Sequence, residues 1–302
     1  MVRKSKKKTS VSLVLAYICL GLINLTLVIA YFIRGKNLAI INPKGAIAEQ
    51  QFDLIIISAL ILFAIAIPTV AILYLTAWKY RETNSKVTHE PNAQYGKHLD
   101  LKMWLIPSLF IFSLVFIMWP ATYRLTPRKI IQSKNDSLRI QVISLRWKWV
   151  FIYPEQNIAT VNYVQIPVDT PVTFELTADE APMSSFWIPN LGGQLYSMTS
   201  HVNQLNLIAE SPGEYPGSSA EINGAGFAGM KFVTKASSKT DFDAWVKGVK
   251  QSEKTLDTEE YSALLRPSES HPVELYSWYD GGIYNKVISK YSGSMEGHGH
   301  TE

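Results

Sequence analysis

The sequence predicts transmembrane α-helices followed by an all-β sandwich and short C-terminal helices. Three stretches, residues 11–33, 54–78 and 103–123, contain no charged side chain. Each is long enough to form a helix that crosses a hydrocarbon core of about 30 Å. From about residue 137 the apolar residues alternate as in short strands, and after about residue 240 they return to helical spacing.

Basic residues near the apolar stretches predict the orientation. Five Lys or Arg lie within the first eight residues, and five more lie between the second and third stretches. Basic loops stay in the cytoplasm, so we expect a cytoplasmic N-terminus and an external domain after residue 123. We divide this part into residues 1–36, a basic segment with the first span, and residues 37–123, a transmembrane hairpin. The first stretch exceeds the ~7–15 apolar residues of a secretory leader, so we expect an uncleaved anchor.

Residues 124–238 form the predicted external β-domain. Short runs rich in Val, Ile, Phe, Trp and Tyr are separated by Pro, Gly and Asn at turns. Such regularly spaced runs indicate a sandwich or a barrel. The predicted strands are residues 137–143, 147–153, 161–166, 172–177, 185–188, 204–209 and 230–234.

Residues 239–291 form a predicted helical extension. Apolar side chains recur at helical spacing in residues 241–250, and residues 258–265 end at an Arg-Pro pair that stops a helix. Residues 282–291 are expected to form a last short helix. The Gly- and His-rich residues 292–302 are expected to be a disordered tail.

Composition excludes several classes of function. Cys19 is the only cysteine, so the chain can form no internal disulfide and no cysteine metal cluster. The net charge of +4 arises around the apolar stretches, which indicates membrane orientation and not a nucleic-acid surface. No nucleophile motif and no phosphate-binding loop is present.

Two motifs carry a family resemblance. Residues 183–192 read MSSFWIPNLG, and residues 219–230 read SAEINGAGFAGM. Their order and spacing resemble the metal-binding loops of subunit II of the haem-copper oxidases, in which a cupredoxin-like sandwich holds a dicopper centre. The resemblance places the six ligand positions of that centre at Ser184, Ser219, Glu221, Asn223, Phe227 and Met230.

Four of these positions carry residues that cannot serve as the family's copper ligands. Ser184 and Phe227 stand where the family has histidines, and Ser219 and Asn223 stand where it has cysteines. A dicopper centre needs soft bridging thiolates, whereas hydroxyl and amide oxygens are hard, weak donors. We therefore expect no metal and no cofactor in this chain, and we interpret Glu221 and Met230 as structural remnants.

Further segments are similar to subunit II of the cytochrome bo-type ubiquinol oxidases. They are residues 42–45, 77–81, 147–156, 158–162 and 242–246. The resemblance implies a proton-pumping complex of the bacterial inner membrane that oxidises ubiquinol and reduces dioxygen to water. It also implies haems and copper in a partner subunit I, further subunits III and IV, and a periplasmic C-terminal domain. Lys36 lies about where relatives carry a lipidated cysteine, so lipidation there is excluded.

Individual residues allow functional and structural interpretations. The resemblance implies that Asp100, at the cytoplasmic start of the last span, marks a proton-pathway entrance; the alternative is an ordinary interfacial charge. Trp147 and Trp149 are two apart on a predicted strand, so both are expected to face one side, as a packed aromatic pair. His201 and His271 lack spaced partners, which disfavours a metal role.

Three alternatives remain open at this point. The chain could be a copper-bearing subunit of a cytochrome c oxidase, which the missing thiolates disfavour. It could be a membrane-anchored cupredoxin-like binding module unrelated to respiration. It could be an assembly factor, which would need exposed Met or His ligands.

Overall fold

The computed structural model describes residues 38–87, 96–133 and 135–292, together with five helical residues in the N-terminal segment, Leu20, Gly21, Asn24, Val28 and Tyr31. The chain divides into two units, residues 1–42 and 43–302. In the first unit, the described residues 38–42 form a turn in which Leu38 O accepts hydrogen bonds from Ile41 N and Asn42 N. Apart from those five residues, the predicted basic segment and first span lie outside the described residues, as does the predicted tail after Ser292.

Two long apolar helices begin the second unit. Helix α1 spans Ala46–Lys79 and helix α2 spans Lys97–Arg124. Their most apolar windows have mean hydropathies of 2.8 and 2.1, and none of those side chains is buried. By length and composition both can cross a membrane. They contain the predicted spans at residues 54–78 and 103–123.

Eleven strands follow in the described residues. They are β1 Leu138–Leu145, β2 Lys148–Tyr153, β3 Ile158–Val161, β4 Tyr163–Pro167, β5 Val172–Ala178, β6 Ser184–Trp187, β7 Leu195–Ser197, β8 Asn203–Leu207, β9 Gly213–Ser219, β10 Lys231–Ser237 and β11 Glu274–Tyr276. One sheet has the order β11-β3-β2-β1-β5-β8, and the other has the order β4-β10-β9-β6-β7. The pairs β1–β5 and β4–β10 are parallel.

The core between the sheets is aromatic. Trp149 and Phe151 from β2 meet Phe186 from β6 and Phe232 from β10, with ring centroids 5.0–6.1 Å apart. All four side chains are buried. Such clusters dominate the energetics of small sandwiches, because each ring removes a large apolar area from water.

Asn162 interrupts the strand predicted at residues 161–166. It has a φ of 56° and lies between β3 in one sheet and β4 in the other. Its side-chain Oδ1 accepts a hydrogen bond from Trp149 N at 2.9 Å, and its own N donates to Trp149 O at 2.9 Å. The predicted strand at residues 161–166 therefore bends across the sandwich, because Asn tolerates this left-handed conformation.

Three short helices form the C-terminal extension together with β11. They are α3 Lys239–Val249, α4 Thr258–Leu264 and α5 Ile283–Ser292. Helix α3 starts at Ser238, whose hydroxyl accepts from Asp241 N at 3.1 Å, and buries Phe242 in the core between the sheets. Helices α4 and α5 pack on the outer face of the six-stranded sheet, so β2 is buried on both faces. The predicted class, transmembrane helices followed by a sandwich and short C-terminal helices, is confirmed.

Candidate functional site

Four buried side chains meet at one end of the five-stranded sheet. Ser184 begins β6, Ser219 ends β9, Asn223 lies in the loop that follows, and Met230 precedes β10. All four are at most 6% exposed. We call this group the polar cluster. It contains four of the six positions that the family resemblance singles out.

Asn223 holds the polar cluster together. Its Nδ2 donates to Ser184 Oγ at 2.8 Å and lies 3.1 Å from Met230 Sδ. Its Oδ1 is buried and accepts no hydrogen bond from any described residue. One amide therefore links β6 to the segment before β10, although one of its own polar atoms remains unsatisfied.

The two serine hydroxyls donate hydrogen bonds to backbone carbonyls. Ser219 Oγ donates to the carbonyl oxygen of Glu221 at 3.0 Å, and Ser184 Oγ donates to Pro182 O at 3.2 Å. Ser219 Oγ also accepts from Ser185 N at 3.4 Å. The hydroxyls thus close two local turns, as serine side chains commonly do.

Glu221 and Phe227 complete the predicted set without joining the hydrogen bonds of the polar cluster through their side chains. Glu221 is half-buried and contributes its backbone carbonyl. Phe227 begins a single turn of 3-10 helix, Phe227–Gly229, and its carbonyl accepts from Met230 N at 3.1 Å. Both residues shape the loop through their main chain.

Trp147 packs against the loop that follows β9. The prediction that it shares a strand face with Trp149 is wrong. Trp147 lies in the turn before β2 with a φ of 65°, so it is outside the alternation of the strand. A Cβ at Gly226 would lie 2.3 Å from its ring, and its Nε1 donates to Asn223 O at 3.4 Å. Trp149 instead fills the core.

The C-terminal extension contacts the same loop. A Cβ at Gly229 would lie 2.7 Å from Ser270 Oγ and 2.9 Å from Ser270 N. Nearby, Asn162 Nδ2 donates to His271 O at 2.8 Å, which joins the extension to the β3–β4 bend. The loop is therefore packed between Trp147 and the extension.

Lys148 is a buried cation that the sequence does not reveal. It is 1% exposed, and its Nζ donates to Leu264 O at 2.9 Å and Arg266 O at 2.8 Å, at the end of α4. Burial lowers the pKa of Lys148, and the charge of Glu274 partly opposes this. Because its partners lie more than a hundred residues away along the chain, no local pattern signals its role.

His271 lies beside this cation. Its Nδ1 is 3.0 Å from Ser268 Oγ, and its Nε2 is 3.8 Å from Glu274 Oε1. Burial lowers the pKa of His271, the charge of Lys148 lowers it further, and Glu274 opposes both. The prediction that His271 has no ligand partners remains a prediction, but the residue belongs to a charged network.

Asp100 is not part of this site. It lies in the first turn of α2 and is exposed. The helix runs from there to Arg124 before the sandwich begins, about 36 Å at the rise of an α-helix. The structure therefore places the carboxylate at the end of α2 that points away from the sandwich.

The donor atoms of the polar cluster do not suit a dicopper centre. They are two hydroxyls, one amide and one thioether, and the cluster contains no thiolate and no imidazole. Within residues 38–87, 96–133 and 135–292, no three His, Cys, Asp or Glu side chains are grouped so that they could hold a metal ion.

Two protein families match this chain. Residues 154–237 match the family described as cytochrome c oxidase subunit II, periplasmic domain. Residues 250–295 match the COX aromatic rich motif. The first match covers most of the sandwich, including the polar cluster, and agrees with its cupredoxin-like character. The second covers α4, β11 and α5, together with Lys254, His271 and Glu274.

Curated relatives match most of the chain. Cytochrome bo(3) ubiquinol oxidase subunit 2 of Pseudomonas putida is 42% identical over 265 residues, which cover 88% of this chain and 84% of that protein. Ubiquinol oxidase subunit 2 of Acetobacter aceti is 39% identical over 268 residues, which cover 88% and 87%. Quinol oxidase subunit 2 of Bacillus anthracis is 38% identical over 247 residues, which cover 80% and 84%.

Proposed function

The chain belongs to the ubiquinol oxidase subunit 2 family, and on that basis we propose that it is a non-redox subunit of a proton-pumping terminal oxidase. The complex couples ubiquinol oxidation to the reduction of dioxygen to water in an aerobic respiratory chain. Haems and copper reside in subunit I, and this chain binds neither. The observation that carries the proposal is the polar cluster, in which hydrogen bonds from Asn223 connect segments that a dicopper centre connects in copper-bearing relatives.

The physical task of the chain is to support subunit I. Helices α1 and α2 expose apolar side chains along their length, among them Phe63, Phe112 and Phe116. Such surfaces suit lipid and the helices of a partner. The external domain caps subunit I on the periplasmic side, and subunits III and IV complete the assembly. The complex lies in the bacterial inner membrane, with the N-terminus of this chain in the cytoplasm.

Asp100 is the one residue to which we assign a role in proton movement. Its exposed position in the first turn of α2 supports this role, since the basic residues nearby predict that this end of the helix lies on the cytoplasmic side. A carboxylate at the membrane boundary can collect protons and deliver them to a path in subunit I. The competing interpretation is an ordinary interfacial charge.

A copper-bearing cytochrome c oxidase subunit is the second candidate, favoured only by the description of the family that matches residues 154–237. The polar cluster opposes it, because no described side chain there offers a thiolate. A membrane-anchored cupredoxin-like binding module is the remaining alternative. It would have no haem-bearing partner.

Copurification tests the proposal. The tagged full-length chain should be purified from membranes of its own host in mild detergent. We expect haem-bearing subunits to accompany it and the preparation to oxidise ubiquinol with dioxygen. Recovery of the chain alone, without haem absorbance and without quinol oxidase activity, would contradict the proposal and favour the binding module.

A further inference from the structure

A cavity of about 440 Å³ lies where the membrane helices meet the sandwich. Its walls come from the first turns of α1, the end of α2 with the segment that follows it, the β6–β7 loop and strand β8. In the proposed orientation this junction lies at the periplasmic boundary of the bilayer. A cavity at that depth adjoins lipid headgroups.

Two cations and several amides line the cavity. Arg124 ends α2 and Lys129 follows five residues later, and both side chains are exposed. Among the described residues neither forms an ion pair with a carboxylate within 4 Å. Gln50 and Gln51 add neutral donors, and no Asp or Glu is among the described residues that line the cavity. Unpaired cations beside amide donors suit a phosphodiester.

Part of the cavity wall is apolar. Ile47, Leu125, Ile130 and Ile131 line it, and Ile130 is 76% exposed. A ligand that satisfies both surfaces has a charged head and an apolar body. Free phosphate would leave the isoleucines in water, whereas a phospholipid can place its glycerol and acyl groups against them.

The walls are fixed by hydrogen bonds to the sandwich. Asn206 on β8 donates from N and Nδ2 to Pro127 O, at 3.0 and 3.2 Å. Ala48 N donates to Leu191 O at 3.2 Å, which holds the start of α1 against the loop after β6. Gly193 leaves room for Gln51, whose Nε2 lies 3.0 Å from the place of a Cβ. The cavity is therefore formed before any ligand enters, which lowers the entropic cost of binding.

We propose that this cavity binds the headgroup of an anionic phospholipid from the periplasmic leaflet. Arg124 and Lys129 contact the phosphate, the glutamine amides contact ester or glycerol oxygens, and the acyl chains follow the apolar surface. The inference rests on the proposed function, because that function sets the depth of the cavity in the membrane. The competing occupant is a segment of a partner subunit.

Lipid titration of the delipidated complex, followed by native mass spectrometry, tests the proposal. We expect phosphatidylglycerol to bind the wild-type complex more tightly than phosphatidylcholine does. The double variant Arg124→Gln, Lys129→Gln should bind phosphatidylglycerol roughly 25-fold more weakly, about fivefold for each cation removed. Arg128→Gln is the matched control, because Arg128 lies between the two cations in sequence but does not line the cavity.

A second variant guards against a folding defect. Arg124→Lys, Lys129→Arg keeps both charges and should bind the lipid nearly as the wild type does. Equal affinity in the wild type and the neutral double variant would overturn the proposal. Photocrosslinking from position 130 to a partner peptide in place of lipid would also overturn it. Haem content and quinol oxidation are measured on the same preparations, so failure of lipid binding in an active oxidase leaves the proposed function intact.

Discussion

The side-chain amide nitrogen of Asn223 lies 3.1 Å from the sulfur of Met230, seven residues further along the chain. The same nitrogen donates to Ser184 on β6, so a single amide links β6 to the end of the loop between β9 and β10. Trp147 packs on this loop from one direction and Ser270 from another. Packing and hydrogen bonds thus hold this loop from three sides.

Packing of Gly226 against Trp147 is expected to be essential for this loop. Gly226 has a φ of −87°, which alanine adopts freely, so Gly226→Ala acts only through the Cβ that would lie 2.3 Å from the ring. We expect the free energy of unfolding of the external domain to fall by about 1–3 kcal/mol. Gly248→Ala in α3 meets no atom within 4 Å and should raise it by about 0.5–1 kcal/mol. Equal effects of the two substitutions on chemical denaturation would show that Trp147 does not hold the loop.

Restoring soft ligands should restore a metal site. The variant Ser184→His, Ser219→Cys, Asn223→Cys, Phe227→His keeps Met230 and the Glu221 carbonyl and supplies two thiolates and two imidazoles. We expect it to bind a copper pair, because bridging thiolates hold that centre. Copper analysis and near-infrared absorbance measure the bound copper pair. The matched control keeps Asn223, carries the other three changes and should bind no copper pair. If neither variant took up copper, these positions would not correspond to the copper ligands of the family.

Acid should weaken the external domain through His271. Burial, helped by Lys148, lowers the pKa of this ring, so the unfolded chain takes up the proton at a higher pH than the folded chain. The free energy of unfolding should therefore begin to fall as the pH drops through about 6.5, the ordinary pKa of histidine in an unfolded chain. It should continue to fall until the pH reaches the lower pKa of the folded state. His271→Gln should remove this part of the pH dependence of unfolding. His201→Gln, an exposed control, should leave it in place.

Asp100→Asn should slow ubiquinol oxidation without disturbing assembly. We expect a loss of roughly two- to tenfold, smaller than the ~10²-fold or more that losing a general acid at a reaction centre costs. Asp100→Glu keeps a carboxylate and should retain most of the turnover. Oxygen consumption per haem is the measurement. Turnover unchanged in Asp100→Asn would identify an interfacial charge with no role in proton delivery.

The sequence predicts helices α1 and α2 well, because a charge-free apolar stretch of that length rarely forms anything but a membrane span. It misses the three-residue strands β7 and β11, and it misses β9, in which Gly213, Pro216 and Gly217 hide the strand pattern. That strand exists because β10 and β6 pair with it, and Gly217 is required because a Cβ would lie 2.2 Å from the Phe232 ring. Such tertiary causes leave no periodic signal.

The sequence predicts the members of the polar cluster only through their positions in the family motifs. The family resemblance places Ser184, Ser219, Asn223 and Met230 together, but nothing in the motif predicts the direction of the amide hydrogen bonds of Asn223. The burial of Lys148 was likewise unpredictable, because its hydrogen-bond acceptors are carbonyls at the end of the distant helix α4. Charged residues are rarely buried unless paired, so local sequence favours an exposed lysine.

Metal analysis of the intact purified complex tests whether the sandwich of this chain lacks copper. Copper and haem are quantified together, and the near-infrared and paramagnetic signals of a mixed-valence dicopper centre are sought. We expect only the copper of the haem-bearing subunit and none of those signals from the external domain. A dicopper signal that disappears when Met230 is replaced by leucine would contradict this expectation.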